Sequence, residues 1–135
     1  LADGTIDMVG TDHAPHAACE KAAGFEAAPF GIDGLETAVA VLLDRLVLEG
    51  VISLGRRVEM FTAAPARILR WPGKGTLQPG ADADLTLLDL GAETVVDTRA
   101  FASKSRNSPF NGWRLRGRAA MTIVGGRIVY PEDGD

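Results

Sequence analysis

Cysteine is almost absent from this sequence of 135 residues: Cys19 stands alone, so no disulfide can form within the chain. No run approaches the roughly 18 uninterrupted apolar residues that a membrane-spanning helix needs. The first residues also lack the basic start of a signal peptide. We therefore expect a cytoplasmic protein in a reducing compartment, with no membrane partner.

Positive charge is also scarce, since 14 Lys and Arg stand against 18 Asp and Glu, a net charge of −4. A nucleic-acid partner is therefore not expected. Hydrophobic residues make up 46% of the chain, enough for the core of one ordinary domain. The chain opens on Leu1 within a turn-like segment, and we expect it to be part of a longer polypeptide.

The first half has the pattern of a strand followed by helices. The short apolar run 6–10 predicts a buried parallel strand, and the aperiodic stretch 17–33 predicts a long functional loop. Asp33, with Glu36 three residues later, predicts a capping box for a helix that Gly50 ends. Two shorter helices are expected from Ser53 to about residue 61 and over residues 64–69.

The second half is rich in turns and strands. Residues 84–90 and 93–97 are both typical of strands, and residues 121–124 and 127–130 flank a Gly-Gly turn in a hairpin pattern. The chain is therefore predicted to be α/β, with one unit over residues 1–72 and a small β module over residues 73–135.

The strongest chemical signal follows directly on the first apolar run, where Asp12, His13 and His16 fall within five positions. At the end of a barrel strand, a carboxylate can bind a metal and move a proton. Asp12 could instead be a turn or cap residue. Each histidine could be a ligand, a substrate hydrogen-bond donor or a structural residue. The chain holds two histidines in all, which is too few for a complete metal site of this kind.

Two further loops are open to more than one interpretation. Gly31 and Gly34, beside Pro29, could bring backbone amides close to a ligand, or could serve only a loop that needs positive φ. Lys104, Arg106 and Asn107 form a polar cluster that is either a solvated surface or a structural clamp.

Four separated segments resemble the C-terminal part of the dihydroorotases, cyclic amidohydrolases of the class I type. They are the stretches IDMVGTDHAPH (6–16), APFGIDGLETA (28–38), GTLQPGADADL (75–85) and SKSRNSPF (103–110). They occur in the family's order over most of the chain. The first and fourth are the more specific, whereas the third is shared widely among amidohydrolases.

The resemblance implies a fold and a set of site residues. The fold is the closing βα unit of an amidohydrolase TIM barrel followed by strands of a small flanking β-sandwich, a fragment of a larger fold. Asp12 matches the aspartate that binds zinc and acts as the general acid and base. His16 matches a histidine that binds the substrate carboxylate, and Phe30 and Gly31 match backbone contacts to the substrate ring. His13 receives no such role.

The implied reaction is the reversible cyclisation of N-carbamoyl-L-aspartate to L-dihydroorotate in de novo pyrimidine biosynthesis, with one or two Zn²⁺ per complete site. The family's His-x-His pair, its carboxylated lysine and its other ligands have no counterpart in these residues. We therefore expect the chain to need a missing N-terminal portion and to be inactive alone. A homo-oligomer, with aspartate transcarbamoylase as a possible partner, is also implied. The alternatives are a hydantoinase or allantoinase, or a non-catalytic dihydroorotase-like subunit that supports aspartate transcarbamoylase.

Overall fold

The computed structural model describes residues 1–131, so the last four residues of the predicted β module lie outside the described residues. The helices are α1 (Ala18–Lys21), α2 (Leu35–Leu42) with a π-helical continuation (Leu43–Leu48), α3 (Leu54–Phe61) and α4 (Ala63–Ile68). The strands are β1 (Leu85–Val95), β2 (Arg114–Val124) and β3 (Arg127–Tyr130), with a 3₁₀ turn at Thr98–Ala100. Within residues 1–131, no helix is long and apolar enough to cross a membrane.

The prediction of a buried strand over residues 6–10 is wrong for this structure. Residues 7–10 run without regular secondary structure, and Ile6 and Met8 remain 49% and 38% exposed. The amide of Val9 donates to the carbonyl of Met60 in α3 rather than to a neighbouring strand. A strand requires a ladder of hydrogen bonds, and the described residues supply no partner strand here. The local apolar pattern alone therefore did not determine the secondary structure of this segment.

The helices that follow agree closely with the predicted ones. Ser53 caps α3, because its Oγ accepts a hydrogen bond from the amide of Arg56 at 3.1 Å. Pro65 lies in the first turn of α4, where its missing N–H costs nothing. The helix that begins at Leu35 ends before Gly50, which has φ +76°. Residues with strong local signals thus set the ends of these helices.

The three strands form an antiparallel sheet in the order β1-β2-β3. The two strands predicted over residues 84–90 and 93–97 are one strand, β1, with an irregularity between Asp89 and Glu93. The predicted hairpin is confirmed, with Gly125 and Gly126 at φ +55° and +78° in its turn. Its first strand begins much earlier than predicted, at Arg114.

The helix formed by α2 and its continuation packs against β2. Leu43 is completely buried, and a Cβ on Gly117 would lie 2.9 Å from its Cδ1, so the strand can approach this closely only with glycine. The buried carboxylate of Asp44 accepts a hydrogen bond from the amide of Arg116 at 3.0 Å. Helices and sheet therefore meet in one packed contact, as the predicted α/β class requires.

Candidate active site

Asp12 occupies an unusual backbone position. It has φ +45°, a left-handed conformation that few residues other than glycine adopt, and its side chain is exposed. Such a conformation costs about 1–3 kcal/mol and is concentrated at functional sites. The exposed carboxylate is open to a ligand, as a metal-binding or proton-carrying role requires.

His13 has a structural task in this chain. Its Nδ1 accepts hydrogen bonds from the amides of Gly34 (3.1 Å) and Leu35 (3.4 Å), at the start of α2. Nδ1 therefore carries no proton, and the neutral ring has its proton on Nε2. The predicted capping box is wrong. The cap residue is Gly34, which has no side chain to accept from the helix amides, and the ring of His13, 21 residues earlier, accepts from them instead.

Asp33 and Glu36, the two residues of the predicted capping box, have other surroundings than the start of α2. The Asp33 side chain is fully buried, and its carboxylate oxygens have no hydrogen-bond partner among the described residues. Glu36 instead reaches the second half of the chain, where its Oε1 accepts from the amide of Ser103 at 2.8 Å. Tertiary contacts have replaced the local ones that the sequence pattern predicted.

The three predicted substrate-binding residues lie together, although His16 precedes Phe30 and Gly31 by about fourteen positions. The Nε2 of His16 is 2.9 Å from the carbonyl oxygen of Phe30, to which it donates. Gly31 has φ +125°, and a Cβ there would lie 2.6 Å from the Cβ of Ala14 and 3.3 Å from Nε2 of His16. Only glycine fits this position. The other ring nitrogen of His16 is 3.7 Å from Oε2 of Glu20.

Two residues outside the predicted substrate-binding set, Lys21 and Asn107, hold the 29–31 segment in place. Lys21 donates from Nζ to the carbonyls of Pro29 (2.7 Å) and Gly31 (3.1 Å). Asn107 donates from Nδ2 to the Gly31 carbonyl at 2.9 Å, and its own carbonyl accepts from the amide of Asp33 at 2.8 Å. The clamp interpretation is therefore confirmed for Asn107. No sequence signal distinguished Lys21 from an ordinary surface lysine.

A cavity of about 710 Å³ opens beside His16. Its lining contains the cationic side chains of Lys21, Lys104 and Arg106, and no carboxylate from the described residues. Arg106 also donates from Nη1 to the carbonyls of Ser103 and Ser105, which orders the loop that carries it. This charge distribution favours an anionic ligand over a cationic one.

The residues present fit one corner of a metal site and not a whole one. Within residues 1–131, no three His, Cys, Asp or Glu side chains lie close enough together to hold a metal ion. Nδ1 of His13 and Nε2 of His16 are both engaged with the backbone, so each ring has only its other nitrogen left for a ligand. Asp12 alone offers an exposed carboxylate in this motif, and a catalytic zinc ordinarily takes three protein ligands.

These observations agree with the comparisons to known proteins. Residues 1–129 match the family described as the Amidohydrolase family, so the chain belongs to the amidohydrolases. Among curated relatives, it is 52% identical over 133 residues to a dihydroorotase of Syntrophus aciditrophicus and 54% identical to one of Anaeromyxobacter dehalogenans. Each match covers 98% of this chain but only 31% and 30% of the relative's length.

Solved structures confirm the fold. The L-hydantoinase (dihydropyrimidinase) from Arthrobacter aurescens matches with a TM-score of 0.88 and 40% identity, over 94% of this chain and 29% of that one. A dihydropyrimidinase from Brevibacillus agri matches with a TM-score of 0.87 and 27% identity, over the same shares. The α/β class predicted from the sequence, a piece of the amidohydrolase fold, is thereby confirmed.

Proposed function

We propose that this chain supplies the C-terminal part of the active site of a dihydroorotase, which interconverts N-carbamoyl-L-aspartate and L-dihydroorotate in pyrimidine biosynthesis. The observation that carries the proposal is the grouping of His16, Phe30 and Gly31, in which His16 follows the exposed, left-handed Asp12 by four positions. Identity above 50% to dihydroorotases, against 40% to a hydantoinase, supports this substrate over hydantoin.

Each of these residues has a task in the proposed reaction. In the hydrolytic direction, water adds to the ring amide carbonyl, so that a C–O bond forms and the ring C–N bond breaks. An Asp12 carboxylate oxygen takes the proton of the attacking water and returns it to the departing nitrogen. His16 keeps Nε2–H on the Phe30 carbonyl and, as the imidazolium, donates from Nδ1–H to the substrate carboxylate, while the backbone of Phe30 and Gly31 contacts the ring.

Zinc is the metal that this function requires, and Asp12 is the residue that would bind it here. When bound, zinc polarises the amide carbonyl and makes water nucleophilic near neutral pH. The remaining ligands would come from a segment preceding Leu1 in the complete enzyme. In the same proposal, residues 1–72 close the catalytic barrel and residues 73–135 belong to the flanking β-sandwich.

A chimera tests the proposal directly. Residues 1–135 replace the matching C-terminal segment of the Syntrophus aciditrophicus relative, and hydrolysis of L-dihydroorotate is followed by ultraviolet absorbance. We expect an active chimera in which Asp12→Asn lowers kcat by at least about 100-fold, because proton transfer is lost. Asp7→Asn, an exposed carboxyl five residues earlier, is the matched control and retains activity.

A hydantoinase is the second candidate, favoured by the structural match to the Arthrobacter aurescens enzyme. The same chimera is therefore assayed on hydantoin and allantoin. Turnover of those substrates with none of L-dihydroorotate would support the second candidate. A folded chimera that turns over none of the three would contradict both.

A further inference from the structure

We propose that Lys21 is a positioning residue, which holds the 29–31 segment so that the Phe30 carbonyl orients His16 toward the substrate carboxylate. The inference rests on the proposed function and adds a specificity residue to it. Lys21 is the last residue of the four-residue helix α1, eight positions before Pro29.

The contacts of Lys21 are made to the segment that it would hold. Its half-buried ammonium donates to the carbonyls of Pro29 and Gly31, on either side of Phe30. A partly desolvated charge requires polar partners, and hydrogen bonds from a charged donor are about twice as strong as neutral ones. The two carbonyls therefore bind the ammonium, and the ammonium in turn fixes their positions.

The 29–31 segment has little else to hold it. The Phe30 side chain is 98% exposed, so apolar packing does not anchor the segment within this chain. Gly31 lies at φ +125° against Ala14, a conformation that a free loop would readily leave. The hydrogen bonds that the described residues make to these three carbonyls come from Lys21, His16 and Asn107.

Loss of the Lys21 ammonium would weaken recognition of the substrate carboxylate more than it would slow proton transfer. Without Lys21, the Phe30 carbonyl moves relative to His16, and Nε2 of that ring loses the partner that orients it. Substrate carboxylate recognition is therefore weakened. Asp12, which carries the proton, makes no hydrogen bond or ion pair with Lys21 or with the 29–31 carbonyls among the described residues, so proton transfer is little affected. The signature is a change in KM with little change in kcat.

The kinetic test uses Lys21→Met in the active chimera, because methionine keeps most of the stem and removes the charge. We expect KM for L-dihydroorotate to rise about 10-fold, the value of one lost charged hydrogen bond. We expect kcat to stay within about twofold. Lys21→Arg should restore KM to within about threefold, since guanidinium can also donate to two carbonyls. Unchanged KM, or loss of kcat alone, would overturn the inference.

A second measurement does not depend on activity. Amide hydrogen exchange of the peptide covering residues 28–34 is compared in the same protein with and without Lys21→Met. We expect exchange to become about 10-fold faster in that peptide. Lys104→Met is the matched control, since Lys104 lines the same cavity without bonding these carbonyls, and should leave the rate unchanged. If the parent chimera is inactive, the proposed function fails. If residues 28–34 exchange at the same rate with and without Lys21→Met, the role of Lys21 fails, whether or not the chimera is active.

Discussion

At the scale of single residues, two backbone positions carry the geometry of the candidate site. Asp12 turns left-handed at φ +45°, and Gly31 reaches φ +125° beside Ala14. Each conformation costs free energy that the surrounding contacts must offset. The hydrogen bonds of Lys21 and Asn107 to the Gly31 carbonyl offer such compensation.

Gly31→Ala should reduce stability more than Gly24→Ala, although both glycines have positive φ. An alanine Cβ at residue 31 would meet Ala14 at 2.6 Å, whereas residue 24 has nothing within 4 Å. Both variants incur the cost of positive φ, and only Gly31→Ala adds overpacking, expected at about 1–3 kcal/mol. Urea unfolding of the two variants measures the difference, and equal losses would contradict this account.

At the scale of elements, Asp84 connects the turn-rich stretch before the sheet to the β2–β3 hairpin. Its carboxylate bonds Nζ of Lys74 and accepts from the amide of Gly125 at 2.7 Å. These contacts lower the pKa of Asp84 below its ordinary value of 3.8, with the Lys74 hydrogen bond as the main cause. Lys74 also pairs with Asp82 at 2.9 Å, and its own pKa is raised.

The lowered pKa of Asp84 predicts a pH dependence of stability. A carboxyl whose pKa is lower in the folded state stabilises the protein above its unfolded pKa, and this contribution is lost as pH falls through the folded value. Asp84→Asn should therefore lower Tm at pH 5–7, by an amount that shrinks below about pH 4. Asp82→Asn keeps both Asp84 contacts and should retain the pH dependence. A deficit that stays constant down to pH 2 would contradict the prediction.

At the scale of the whole molecule, the loop over residues 103–110 connects the β module to the candidate site. The Ser103 amide donates to the Glu36 carboxylate in α2. Asn107 donates to the Gly31 carbonyl and accepts from the Asp33 amide. The packing of Leu43 against Gly117 adds an apolar contact between the same two halves. The 103–110 loop therefore supports the 29–31 segment, and substitutions in the loop should change the stability of that segment.

The incomplete ligand set predicts how the chain handles metal. Because residues 1–131 hold no group of three ligands, the 135-residue chain should bind Zn²⁺ far more weakly than the chimera described above, since structural and catalytic zinc sites use three or four protein ligands. Equilibrium dialysis against a zinc-sensitive dye compares the two proteins, with Asp12→Asn as the control in each. Tight zinc binding by the chain alone that survives Asp12→Asn would contradict this expectation.

Several parts of the fold followed from local signals. Ser53 and Pro65 predicted the starts of α3 and α4, and Gly125-Gly126 predicted the hairpin, because caps and tight turns depend on residues only a few positions apart. The prediction of a strand over residues 6–10 failed for the opposite reason. A strand forms only beside a partner strand, and the local sequence pattern does not show whether that partner is present.

The sequence by itself determined the α/β class, the main helices and hairpin, and the motif with Asp12 and His16, because each depends on residues that are close together in the sequence. Only the tertiary structure decided that His13 caps α2, that Lys21 and Asn107 clamp the 29–31 segment, and that Phe30 meets His16. The bond from Asn107 to Gly31 spans 76 positions. Such contacts depend on how the whole chain packs, and local propensity carries no information about them.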